Sequence, residues 1–90
     1  MTESLTEIEY DVLNALYFVE PFDTILSECP YPEAIVKDVL RQLIARKYVA
    51  PMRFDEDKQE YLRSFMYDGD DMRAYAYLAT KEGLMAHHSR

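Results

Sequence analysis

Pro32-Glu33-Ala34-Ile35-Val36-Lys37-Asp38-Val39-Leu40-Arg41-Gln42-Leu43-Ile44-Ala45-Arg46-Lys47-Tyr48-Val49 is the most regular stretch of the chain. Val36, Val39, Leu40, Leu43 and Ile44 recur at three- and four-residue steps, so they share one face of a helix predicted over 32–47. A proline at its start gives up only an amide that has no helical partner, and Arg46 and Lys47 at its end complement the helix dipole. Glu33, Lys37, Asp38, Arg41 and Gln42 fall on the opposite face. One side of this helix is built for burial and the other for solvent or a ligand.

Upstream, Ile8, Val12, Ala15, Leu16 and Val19 repeat at helical spacing and predict a first helix over 6–19. Thr6 followed by Glu9 has the spacing of a capping box, and Pro21 stops the helix beyond Val19. A short second helix is expected over 23–29, with Phe22 packing ahead of it and Pro30 closing it.

Downstream of Lys47 the pattern turns extended, with aromatic and β-branched runs at 48–54, 60–67 and 72–79. Asp55-Glu56-Asp57-Lys58 and Asp68-Gly69-Asp70-Asp71 supply polar turns, and Gly69 permits a positive φ, so two hairpins in series are expected. Tyr61, Leu62, Phe65 and Met66 also satisfy helical spacing, which leaves an inserted helix as the alternative for that segment. Thr80 is placed to cap a last short helix over 81–88.

Helix, short helix, longer amphipathic helix and then a β-hairpin is the order of an α+β winged helix-turn-helix domain, here with a three-helix core, a long wing and a short C-terminal helix. The run from Val39 to Val49 resembles the end of the recognition helix and the entry to the wing in winged-helix regulators, with Lys47 where those proteins usually carry glycine. Tyr75-Ala76-Tyr77-Leu78-Ala79-Thr80-Lys81-Glu82-Gly83 is similar to the Tyr-x-Leu-Thr-x-x-Gly run closing the wing in MarR-like and PadR-like transcriptional regulators, with one extra alanine. The resemblance implies DNA binding through the third helix. Two features depart from that pattern: an acidic wing, and no long helix for dimerisation after the wing.

Composition bounds these readings. Ninety residues suit one domain, and 49% apolar residues suffice for one core. The net charge of −7 excludes the broadly basic field of a nonspecific nucleic-acid binder. Charge is also partitioned: residues 1–30 hold seven acidic residues and no Lys or Arg, whereas residues 31–52 hold four basic against two acidic. The chain opens without a basic, then apolar, secretory pattern, has no run of about 20 apolar residues, and carries the single cysteine Cys29; a cytoplasmic protein is expected.

Lys37, Arg41, Gln42 and Arg46 are the candidates for contact with double-stranded DNA, since arginine forks onto guanine and glutamine onto adenine. The alternative is an acidic winged-helix module that docks a protein partner and does not bind DNA. For that role Tyr75 and Tyr77, which alternate onto one strand face, are the candidate contacts, against the competing reading of packing within the sheet. Leu5, Tyr10, Leu13 and Tyr17 widen the apolar stripe of the first helix, so a weak homodimer through it, centred on Leu13, is expected; packing under the wing is the alternative. His87 and His88 read as a frayed tail and Cys29 as a buried thiol. No cofactor and no metal site are expected: the two acidic turns lack the glycine and glutamate positions of an EF-hand loop. With no glycine-rich phosphate loop, nucleophile elbow or zinc spacing, catalysis is not expected either.

Overall fold

The computed structural model describes residues 5–64 and 66–89. Helix α1 spans Glu7–Asn14, and its start is the anticipated capping box: Thr6 Oγ1 accepts from the Glu9 amide (3.2 Å) and Glu9 Oε1 from the Thr6 amide (2.8 Å). The helix ends well short of the predicted Val19. Its continuation unwinds because the Leu16 carbonyl turns to accept the Ala79 amide (3.0 Å), and the chain then enters the two-residue strand β1 (Glu20–Pro21), which the sequence did not announce. Helices α2 (Phe22–Glu28) and α3 (Glu33–Ala45) follow, α3 burying Val36, Val39, Leu40 and Leu43.

The end of α3 explains the lysine at the glycine position. Lys47 has φ 65°, its amide donates to the Ile44 carbonyl (3.0 Å), and the Tyr48 amide donates to the Leu43 carbonyl (2.9 Å). These two bonds form a Schellman cap, whose left-handed residue is usually glycine. Gly69, by contrast, does not use the positive φ expected of it; among the described residues, positive φ occurs at Lys47 and Gln59.

Strands β2 (Val49–Asp55), β3 (Glu60–Arg63) and β4 (Ala76–Ala79) complete an antiparallel sheet of order β1-β4-β2-β3. The first predicted hairpin is present, closed by the Asp55–Glu60 pair. The second is not: β4 pairs with β2 and β1, on the far side of β2 from β3, and Met72–Ala74 is a turn of 3₁₀ helix. No inserted helix replaces β3; of the residues that raised that alternative, Phe65 lies outside the described residues. Pro51 occupies an inner strand at little cost. Its carbonyl accepts the Ser64 amide (2.9 Å), so its own nitrogen also points towards Ser64, just beyond the end of β3, where no ladder bond is lost.

Helix α4 (Lys81–His88) is capped by Thr80, whose Oγ1 accepts from the Gly83 amide (3.1 Å) and donates to the Lys47 carbonyl (2.7 Å). Gly83 lies directly on the Tyr48 backbone, where an added Cβ would come within 2.0 Å of the Tyr48 oxygen. Together these elements make a small α+β domain, with four α-helices and the four-stranded antiparallel sheet among the described residues, around a core that includes Leu13, Leu16, Phe22, Ile25, Leu40 and Tyr77. No helix among the described residues is long and apolar enough to cross a membrane.

Candidate functional site

The outer face of α3 presents Ala34, Ile35, Asp38, Arg41, Gln42 and Ala45, all exposed. Its cations are held by neighbours. Lys37 Nζ lies 3.2 Å from Glu33 Oε2 one turn back, and Arg41 lies 3.5 Å from Asp38 while donating to the Gly69 carbonyl at 2.9 Å. The second of these contacts ties α3 to the 66–71 segment, which crosses from β3 back towards β4. Arg46 points inward to Glu9 Oε2 (3.0 Å), and its guanidinium stacks over the Tyr48 ring at 4.6 Å. The Glu9 side chain is only 6% exposed and that of Arg46 24%, so this pair is part of the interior. Of the four residues expected to meet DNA, Arg41 and Gln42 stand on the open face, Lys37 is half-buried beside them, and Arg46 leaves it for the α1–α3 junction.

At the start of α3, Arg73 reaches from the 3₁₀ turn to Glu33 (2.7 and 3.1 Å) and to Asp23 of α2 (3.0 Å). The guanidinium of Arg73, with Lys37 adding to it, holds the Glu33 carboxyl down at about 2, and Glu33 in turn raises Arg73. The α3 surface is thus a charge-balanced face and not a positive one. Beside the 66–71 segment lies a shallow open notch lined by Arg53, Met66, Tyr67, Asp68 and Tyr75, with the Arg53 guanidinium 5.3 Å from the Tyr75 ring centre.

The expectation that Leu13, Tyr75 and Tyr77 contact a partner is corrected by their burial: all three are in the core. Tyr77 donates its hydroxyl to the Met72 carbonyl (2.8 Å), lies 3.2 Å from the Tyr67 hydroxyl, and has its pKa raised mainly by burial, which keeps the phenol neutral. The Tyr75 ring packs on Tyr67 at 4.8 Å, and its hydroxyl accepts the Asp68 amide. These tyrosines order the long connection between β3 and β4, an irregular segment that needs side-chain partners for its backbone. Leu5, just ahead of α1, and Leu13 are likewise buried inside the domain, whereas Tyr17 of the same predicted stripe stays exposed. Tyr61 differs: it remains exposed on the sheet, edge-on to Phe54 at 5.2 Å.

The C-terminal histidines are not a frayed tail. His87 is buried, stacks on Tyr10 at 4.1 Å and shares a hydrogen bond with the Tyr17 hydroxyl (2.8 Å), which also lies 3.1 Å from His88 Nε2. Burial, and then the neighbouring His88, lower the His87 pKa. Cys29 is the buried thiol expected, its pKa raised by burial and by Asp11 and Glu28. Among the described residues no group of three or more His, Cys, Asp or Glu side chains is placed to hold a metal ion.

The sequence carried a faint signal for what it missed. Arg46 lies at the edge of the apolar face of α3, and Glu9 is committed by its cap to a fixed position, yet nothing local couples residues so far apart. The chain matches no family model, and neither a curated protein nor a solved structure is significantly similar to it.

Proposed function

We propose that the chain is a winged-helix-type domain whose third helix meets a protein partner and not the phosphate backbone of DNA. The fold reading is supported by the order α1, β1, α2, α3 and then antiparallel strands, with β1 and β2 flanking β4 and with β3 as an addition inside a long wing. The observation that carries the functional reading is the pairing of Lys37, Arg41 and Arg46 with Glu33, Asp38 and Glu9. Each phosphate contact would have to break one of these pairs, so few counterions are released and little affinity follows. Small and apolar side chains on the same face, Ala34, Ile35 and Ala45, suit close approach by another protein surface.

One observation favours the competing DNA reading: Arg41 and Gln42 are adjacent and exposed, the two residue types that address guanine and adenine. A fluorescence-anisotropy titration with mixed duplex DNA at low and moderate salt separates the two, alongside a photo-cross-linking residue placed at Gln42 in cells. Protein adducts at position 42, with no duplex binding, are expected. Duplex binding at low salt that disappears in Arg41→Glu would overturn the partner reading.

A further inference from the structure

The β3 strand is an edge, and its geometry fits a second copy of itself. Because the Ser64 amide donates to Pro51 in β2, the alternation of backbone groups along β3 aims the N–H and C=O of Leu62 at β2 and those of Tyr61 and Arg63 away from the sheet. The outward groups of a two-residue-spaced pair can be met by an antiparallel copy related by a two-fold axis through Leu62. In that register Tyr61 of each copy lies opposite Arg63 of the other, giving four backbone hydrogen bonds, while the two Leu62 side chains meet on the opposite face at the closely spaced central pair.

We infer that the free edge of β3 joins two copies of this chain into one continuous eight-stranded sheet centred on Leu62. Three features select a second copy over another strand. The register is self-complementary in charge: Arg63 meets an aromatic face, in cation–π geometry, and never its own equivalent. Tyr61 (39% exposed) and its neighbour Phe54 (48%) lie next to that contact with nothing covering them among the described residues. Finally, the sheet face that carries Tyr61, namely Ala50, Met52, Phe54, Ala76 and Leu78 with Arg63 at its rim, has no carboxylate, although the chain has 17. On this face two chains of net charge −7 meet no opposing acid, and on the other face Glu60 of each copy falls opposite Ser64 of the second and not opposite another carboxylate. Edge strands are commonly blunted by charge, and the two charges of the four-residue β3, Glu60 and Arg63, each fall opposite an uncharged residue of the second copy in this register.

The pairing is independent of what α3 binds, and its test does not involve α3. Sedimentation equilibrium from micromolar to millimolar protein should show the mass rising from 10.6 kDa towards twice that value. Tyr61→Lys sets a lysine opposite Arg63 of the second copy and should shift the midpoint at least tenfold to higher concentration, with far-UV circular dichroism unchanged. Tyr61→Lys combined with Arg63→Glu restores an opposite-charge pair only if positions 61 and 63 face each other, and should recover dimerisation. Arg63→Pro removes an outward amide without touching the β2 ladder and should abolish it. A wild-type mass fixed at that of the monomer, a Tyr61→Lys variant that dimerises as well as wild type, or a double variant that stays monomeric would each overturn the proposal.

Discussion

Arg46→Met tests whether the cation nearest the end of α3 belongs to the surface or to the interior. Methionine keeps much of the apolar stem but removes the guanidinium that reaches Glu9 and lies over the Tyr48 ring. Glu9 then retains the Thr6 amide on Oε1 and loses its charged partner on Oε2, in a side chain only 6% exposed. Breaking a fully buried pair costs about 3–5 kcal/mol. Arg46 is 24% exposed, so water reaches part of the vacated site and the cost falls to about 2–3 kcal/mol. For a domain of this size that corresponds to a drop of roughly 10–20 °C in Tm. Thermal unfolding followed by circular dichroism, with urea unfolding as a second probe, reads it directly. Glu9→Gln should cost less, about 1 kcal/mol, because glutamine can still accept the capping bond. The double variant should lose less than the two single losses combined, with a coupling of about 1–2 kcal/mol. An Arg46→Met protein within about 0.5 kcal/mol of wild type, or a strictly additive double variant, would refute an interior pair. The outcome also decides how a binding scan of α3 is read, because loss of binding in an Arg46 variant would report unfolding.

Three further outcomes follow from the geometry. Lys47→Gly should stabilise the domain by about 0.5–1 kcal/mol in urea unfolding, since the left-handed backbone is already in place and the Cβ penalty exceeds glycine's extra unfolded-state entropy. Gly83→Ala should cost at least about 2 kcal/mol in the same assay, because the new methyl meets rigid Tyr48 backbone and α4 must move. In a pH series, Glu33 has a folded-state pKa below its unfolded value, so its tie to Arg73 contributes fully above about pH 4.5 and is lost as pH falls through about 2. His87, also lowered, adds a contribution that is full above about pH 6.5 and declines below it; His87→Phe should remove that second step from the Tm profile.

The four helices, the capping box, the Thr80 cap and the first hairpin were legible because each rests on contacts within a few residues, where spacing and capping chemistry act directly. The order of elements likewise set the α+β class and singled out the face of α3. Where α1 stops was not legible: residues 15–19 have helical spacing, but a hydrogen bond from Ala79, far along the chain, draws Leu16 out of the helix. Strand partnership was misread for a related reason. Alternation shows that 72–79 is partly extended but not that it crosses over to lie between β1 and β2, a choice made by burial of Met72, Tyr75 and Tyr77 against the helices. The same burial decided for packing over partner contact at Tyr75 and Tyr77, two readings the sequence left open, and the Glu9 carboxylate drew Arg46 off the face on which its sequence position had put it. Local chemistry therefore determined the elements and their outer faces, while tertiary packing decided which charges are neutralised, because Coulomb pairing and desolvation depend on distances in space that sequence separation does not encode.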